Sequence, residues 1–241
     1  MKNQAKFQPV TLSKVAGIIL ILESLVIFVP MIIMGISFNW PENLSKPASY
    51  NFSLLIEQAT VIKSGYLAYL FYSILFFVAI LMVAQVTSNG KNFSAALNLG
   101  VGFGALSSLA RSLGILRWLT AIPILADIYT KGTLEEQTIS TLFYETLNSY
   151  GGAIGELLGV SIFASFALLG VAIGMLQSTH IPKWLAYFGL VSSVVVFLQS
   201  LEVFGVEVNS VIMVSALQFW MLASGIVFLR MKTHPQPILT N

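Results

Sequence analysis

Six runs of predominantly apolar residues, each long enough to cross a lipid bilayer as a helix, occupy more than half of the sequence of 241 residues. A membrane-spanning helix needs about 20 such residues, because each residue advances the helix by about 1.5 Å. The runs cover residues 15–35, 65–86, 94–121, 151–176, 184–204 and 210–229. They predict an all-α protein, a polytopic transmembrane bundle of about six helices that forms a single integral membrane domain over residues 1–241.

Composition excludes several classes of protein. Only 9% of the residues are charged, against about 25% in an ordinary soluble domain. The chain has no cysteine, which rules out disulfides, cysteine-based zinc sites and thiol nucleophiles. The net charge of +2 gives no basis for a nucleic-acid partner. Both histidines, His180 and His234, fall outside the apolar runs, so we expect no cofactor and no metal site.

Two of the gaps between the runs carry apolar residues at helical spacing, which predicts short amphipathic helices in the outer loops. The first comprises Phe52, Leu55, Ile56, Ala59 and Ile62, and the second Ile139, Leu142, Phe143 and Leu147. The second gap opens with Thr133 and Glu136, the spacing of a capping box. Such helices lie on the membrane surface or pack against the bundle, and both arrangements stay open at this point.

The distribution of basic residues predicts the orientation of the chain. With six crossings and a cytoplasmic N-terminus, seven basic residues face the cytoplasm and three face outside. The cytoplasmic set is Lys2, Lys6, Lys14, Lys91, Lys183, Arg230 and Lys232, and the outer set is Lys46, Lys63 and Lys131. We therefore expect a multi-pass protein of the plasma (inner) membrane with both termini in the cytoplasm.

The third run is too long for a single crossing. From residue 93 to residue 126 it would extend about 50 Å as one helix, against a hydrocarbon core of about 30 Å. Either the helix projects beyond the outer surface and ends at Pro123, or it breaks near Gly114 and its second half re-enters the membrane or crosses it. We favour the projecting helix, because a seventh crossing would move Lys183, Arg230 and Lys232 to the outer side.

Ionisable and amide side chains within the apolar runs are the candidate functional residues, because charge in a bilayer is costly. They are Glu23, Arg111, Arg117, Glu156, Gln199, Glu202 and Gln218. The helical rise places Arg111, Arg117, Glu156 and Glu202 in the outer half of the membrane, where they could neutralise one another. Glu23 lies deeper and is either protonated or directed toward Arg111.

This cluster has two interpretations. In the first, its members form ion pairs that fix the register of the helices. In the second, they line a hydrated, outward-facing pocket that holds a small anionic or zwitterionic molecule or a lipid against Arg111, with Glu156 and Glu202 as counter-ions.

Glycines at four-residue spacing predict flat helix faces for close packing. The fourth run carries Gly151, Gly155 and Gly159, followed by Gly170 and Gly174, and the third carries Gly100, Gly102 and Gly104. We expect these faces to pack helices together, and the face of Gly151, Gly155 and Gly159 is also a candidate surface for a homo-oligomer.

Two charged segments resemble a known family. The stretch from Arg111 to Trp118, followed by Pro123, and the stretch from Tyr150 to Gly159 around Glu156 are similar to a large bacterial family of multi-pass membrane proteins known only as a domain of unknown function. Members of that family often have a histidine where this chain has Leu157. The resemblance implies six helices in a bacterial plasma membrane and supplies no activity.

We therefore expect a membrane protein that binds or transports a small molecule or lipid through an outward-facing polar pocket. An intramembrane enzyme acting on a lipid-like substrate is one alternative, with Glu156 or Glu202 as acid or base. A structural or signalling subunit with partner helices is another.

Overall fold

The computed structural model describes residues 9–231, which are almost entirely helical and contain no strand. The α-helices are α1 (Pro9–Val26), α2 (Phe28–Phe38), α3 (Ala48–Glu57), α4 (Ala59–Ser88), α5 (Ala95–Leu119), α6 (Ala121–Lys131), α7 (Leu134–Gly152), α8 (Ala164–Gln177), α9 (Lys183–Leu198) and α10 (Ser210–Arg230). A π-helical segment, Ala153–Phe163, joins α7 to α8, and 3₁₀ turns cover Glu42–Ser45 and Gln199–Phe204.

Six helical segments of the described residues are long and apolar enough to cross a membrane, as the sequence predicts. They are Leu12–Phe38, Ala59–Ser88, Ala95–Lys131, Leu134–Gln177, Lys183–Phe204 and Val211–Arg230. Each contacts the next along the chain, and α10 contacts α1, so the six spans close into a ring. The chain is thus a multi-pass helical membrane protein.

The two ends of this ring differ in charge. The end that carries the start of α1, the end of α10 and the loops after α4 and α8 bears Lys14, Lys91, Lys183 and Arg230, and no acidic residue of the described chain. We call it the basic end and the other the acidic end. Hydrogen bonds tie the basic end together: the Lys14 ammonium donates to the carbonyl of Leu229, and His180 Nε2 donates to that of Val86 at 2.9 Å. Lys2, Lys6, Lys232 and His234 lie outside the described residues.

Two apolar clusters lie one behind the other along the bundle. The cluster toward the basic end includes Leu20, Phe76 and Leu168. The cluster toward the acidic end includes Phe52 and Trp118. Burial of apolar side chains in both clusters stabilises the fold, although lipid replaces water around the spans. Arg111 contacts Phe76 of the first cluster and lines a crevice with Trp118 of the second.

Several helix bounds differ from the sequence prediction. The third run breaks at Thr120, whose φ of −123° and ψ of −74° are not helical, rather than near Gly114. A second helix, α6, then continues to Lys131, so the helical stretch does not end at Pro123. Pro123 lies in the first turn of α6, where its missing N–H leaves no hydrogen bond unmade. This kink lies within the third apolar segment, Ala95–Lys131, and projection beyond the outer surface stays a prediction.

The fourth span also begins earlier than predicted. Leu134 starts a helical segment of 44 residues that ends at Gln177, about 66 Å at the α-helical rise. This length exceeds a hydrocarbon core of about 30 Å, so α7 extends past it toward the acidic end. The second predicted amphipathic helix is therefore part of this segment, and its capping box is present, with Glu136 accepting from the Thr133 backbone at 2.7 Å. The first is divided between two helices: Phe52, Leu55 and Ile56 lie in α3, where Phe52 and Leu55 are buried, and Ala59 and Ile62 lie in the first turn of α4.

The glycine faces pack helices together, as predicted. A side chain on Gly114 would lie 2.8 Å from the Cα atom of Gly155, so α5 and the π-helical segment touch through their backbones. Gly100 and Gly170 make the equivalent contact between α5 and α8. Gly102 differs, since it faces open space. The predicted oligomer face thus contacts α5 of the same chain, and homo-oligomerisation stays a prediction.

Candidate functional site

A crevice between α4, α5 and the π-helical segment is lined by three charged residues of the spans. It encloses about 390 Å³ with its open mouth included, and its inner part has room for only one or two water molecules. Its lining residues are Trp40, Leu44, Tyr66, Tyr69, Arg111, Gly114, Ile115, Arg117, Trp118, Gly155, Glu156 and Val160. Three of the seven predicted site residues, Arg111, Arg117 and Glu156, therefore share one site.

Arg111 is a buried cation that forms no ion pair with the residues that the structure describes. Its side chain is only 3% exposed, and neither Nε nor Nη2 has a hydrogen-bond partner among the described residues. The guanidinium carbon lies 4.3 Å from the centre of the Phe76 ring and 5.9 Å from that of Tyr72, so the ring faces partly compensate its charge. The aliphatic stem lies against Gly159, where a Cβ atom would approach it to 2.9 Å.

Arg117 is held by backbone and amide oxygens. Its Nη1 donates to the Gly114 carbonyl at 2.8 Å, and its Nη2 makes a long hydrogen bond of 3.4 Å to Asn148 Oδ1. A Cβ atom on Gly151 would meet the Arg117 stem at 2.7 Å, so this glycine makes room for the arginine. The Asn148 amide in turn donates to the Leu44 carbonyl at 2.8 Å, which fixes the outer wall of the crevice.

The structure does not form the expected ion pairs. Among residues 9–231 the one pair with a nitrogen and an oxygen within 4.0 Å joins Lys131 to Asp127. The predicted depths are similar, but depth does not specify the rotation of each helix. Arg111 turns toward the α4 rings, Arg117 turns toward α7, and Glu202 lies exposed on a 3₁₀ turn. Neither arginine is neutralised by direct contact with Glu156 or Glu202.

Glu156 lies in the π-helical segment, and its side chain is exposed at the crevice. π-Helical hydrogen bonding is rare and is frequent at functional sites. Its wider turn places Gly155 and Gly159 against α5 while Glu156 stays accessible. Ser161, one π-turn later, donates its hydroxyl to the Glu156 carbonyl at 3.0 Å. The site thus offers two cations and one accessible carboxylate.

A second polar group lies behind Arg111. Glu23 is fully buried, and neither carboxyl oxygen has a hydrogen-bond partner among the described residues. No nitrogen of a basic residue in the described chain lies within 4.0 Å of these oxygens. Gln218 donates to the Tyr72 hydroxyl at 2.7 Å, while its own Oε1 has no partner in the described chain.

Gln199 and Glu202 lie apart from the crevice lining. Gln199 is buried and its Oε1 has no hydrogen-bond partner within residues 9–231. Glu202 lines a shallow surface depression with Gly205 and Glu207.

The aromatic part of the site was not predicted from the sequence. Tyr66 stacks on Trp118 with ring centres 5.0 Å apart, and Tyr69 stacks on Tyr72 at 5.9 Å. Trp40, on the loop after α2, completes the wall beside Tyr69. Aromatic residues in apolar runs look like core or interface residues. The spacing of three tyrosines along α4, each three residues after the last, was the available signal.

Fold and site together define a six-span helical membrane protein with an arginine-containing crevice at the boundary of its two apolar clusters. The chain belongs to the family described as "Domain of unknown function (DUF4386)", which matches residues 15–238. This match confirms the resemblance that the charged segments suggested. No curated protein and no solved structure matches the chain.

Proposed function

We propose that the protein binds a small anionic or zwitterionic molecule, or the head group of such a lipid, in the crevice. Arg111 carries this proposal, because a buried guanidinium with unpaired nitrogens beside a cavity is an incomplete anion site. Leaving such donors unpaired costs about 1–3 kcal/mol for a buried group and more for a charged one. An entering carboxylate, phosphate or sulfonate oxygen would satisfy them.

The other lining residues fit the same class of ligand. Arg117 adds a second cation, and Glu156 offers a partner for the positive group of a zwitterion. The stacked rings of Tyr66 and Trp118 form an apolar wall suited to a hydrocarbon or ring portion of the ligand. The inner part admits only water-sized groups, so the anionic group enters and the rest of the ligand stays at the mouth.

We further propose the orientation that the charges favour. The basic end faces the cytoplasm of a bacterium, following the positive-inside rule, and the membrane is the plasma membrane. The crevice lies on the side of α5 that is nearer the acidic end of the bundle. In this orientation it opens to the outside of the cell. Glu23, Tyr72 and Gln218 continue the polar path beyond Arg111, and they are the side chains that a transported molecule would meet next.

Mass spectrometry of co-purified molecules tests the binding proposal while the ligand is still unidentified. The wild type, Arg111→Gln and Arg230→Gln are purified in a neutral maltoside detergent, and small molecules and lipids are extracted from each. Arg230 is at the basic end, away from the crevice, so its variant controls for the loss of one arginine. We expect an anionic or zwitterionic species to co-purify with the wild type and with Arg230→Gln. The amount of this species per protein should be at least tenfold lower in Arg111→Gln than in the wild type. Equal retention by Arg111→Gln would contradict the proposal.

A further inference from the structure

We propose that Glu23 is a proton-binding site whose protonation is coupled, through Arg111, to the binding of an anion in the crevice. Glu23 is completely buried between α1 and the neighbouring spans, and both of its oxygens lack a hydrogen-bond partner among the described residues. A buried carboxylate without a donor is costly, and intramembrane acids in this situation characteristically carry protons.

Few titratable or charged groups lie on the helices around Glu23. Helix α2 has no titratable residue, and α10 has only Arg230 at its far end, while its nearby polar groups are the neutral Gln218 and Ser224. Helix α1 packs on α4, and the Tyr72 and Phe76 rings of α4 contact the Arg111 guanidinium of α5, so Tyr72 and Arg111 are the titratable and charged groups on that side. The ionised state of Glu23 therefore depends on the field of Arg111.

Arg111 faces two competing anions. In the empty site its positive charge acts on the Glu23 carboxylate. When an anion enters the crevice and binds the unpaired guanidinium nitrogens, the pair becomes neutral and Glu23 loses that support. At a pH that leaves Glu23 ionised in the empty site, Glu23 then takes one proton from solvent, forming an O–H bond on one carboxyl oxygen. One anion and one proton enter together, and the net charge of the site does not change.

Linkage fixes the sign of the pH dependence. Because the bound state holds more protons than the free state, anion affinity is highest at low pH and falls as the pH rises, by up to about tenfold per pH unit for one coupled proton. Octanesulfonate is a suitable probe, since its own charge does not change near neutrality. Its affinity is measured by calorimetry in neutral maltoside detergent, one pH unit and three pH units above neutrality, where a carboxyl group buried without a donor can release its proton.

Two variants separate Glu23 from the other carboxylate near the site. We expect the affinity of the wild type to fall with pH, that of Glu23→Gln to be nearly independent of pH, and that of Glu156→Gln to keep the wild-type slope. A pH-independent wild type, an unchanged slope in Glu23→Gln, or a slope abolished only by Glu156→Gln would overturn the coupling. These comparisons need no variant of Arg111, so they survive if such a variant fails to fold.

Because this coupling rests on the proposed function, a second readout keeps the two failures distinct. Absence of octanesulfonate binding would count against the anion site, and infrared spectroscopy of the ligand-free protein then decides on Glu23. Three pH units above neutrality, we expect Arg111→Gln to increase the carboxylic acid C=O band relative to the wild type, and Arg111→Gln combined with Glu23→Gln to remove the increase. An unchanged band in Arg111→Gln would overturn the role of Glu23.

Discussion

At the scale of single residues, Arg111 is a buried cation that lines the crevice together with Arg117 and Glu156. Counting residues from the membrane surface brings Arg111, Arg117 and Glu156 to one site, because helical rise is nearly invariant. The same counting predicts ion pairs that the described chain lacks, because contact also depends on helix rotation and side-chain direction. Arg111 contacts two rings instead, and no spacing rule in one sequence specifies that choice.

Asn51 illustrates a residue whose importance the sequence did not reveal. It is fully buried, and its amide lies within hydrogen-bonding distance of the Asn43 carbonyl and the Tyr144 hydroxyl, each at 2.7 Å. We expect Asn51→Ala to lower the free energy of unfolding by about 1–3 kcal/mol, since buried partners lose their hydrogen bonds. Thermal unfolding in neutral detergent measures this loss.

The matched control for that prediction is Asn98→Ala. Asn98 is exposed and makes one long hydrogen bond of 3.3 Å to the Phe93 carbonyl. Its loss should change stability by less than about 0.5 kcal/mol. Similar losses in the two variants would mean that the Asn51 hydrogen bonds do not hold α3 and α7 together.

At the scale of helices, the sequence predicted the elements whose position depends on burial in lipid. It did not predict the helix bounds that depend on contacts between protein segments. The six spans were predictable because hydropathy reports transfer into a bilayer. The early start of α7 and the kink at Thr120 were not, because they lie where α6, α7 and α3 pack on one another. The π-helical segment was also missed, since hydrophobic periodicity does not distinguish it from an α-helix over two turns.

The contact between α5 and the π-helical segment gives a prediction at this scale. Gly114→Ala places a Cβ atom 2.8 Å from the Cα atom of Gly155, where only backbone can yield. We expect it to lower the free energy of unfolding by about 1–3 kcal/mol through overpacking. Gly102→Ala is the same change on the same helix at a position facing open space, and its better helix propensity should leave stability unchanged or slightly higher. Equal melting temperatures in the two variants would contradict this packing.

At the scale of the whole molecule, the ring of six spans separates a basic end from an acidic end. This arrangement could be predicted, because an even number of crossings brings both termini and alternate loops to one side. The direction of insertion is the part that stays a prediction. It depends on the membrane and the insertion machinery as well as on the chain.

Cysteine labelling in intact cells tests this direction, and the chain has no native cysteine to react in the background. Single cysteines at the exposed positions Lys46 and Glu135 should react with an impermeant thiol reagent, while those at Lys91 and Lys183 should react only after the membrane is opened. The reverse pattern would place the crevice on the cytoplasmic side. Labelling at Lys183 but not at Lys91 would show that the third span crosses twice.

The most direct test of an anion site at Arg111 is the affinity of octanesulfonate at one fixed pH for the wild type, Arg111→Gln and Arg230→Gln, with octyl glucoside as the neutral probe. Loss of one charge-assisted contact of about 1.5–3 kcal/mol corresponds to a loss of affinity of about 10-fold to 100-fold. We predict saturable binding of octanesulfonate to the wild type, a loss of that size in Arg111→Gln and no change in Arg230→Gln. Equal affinity in all three proteins, or equal binding of octyl glucoside, would contradict an anion site at Arg111.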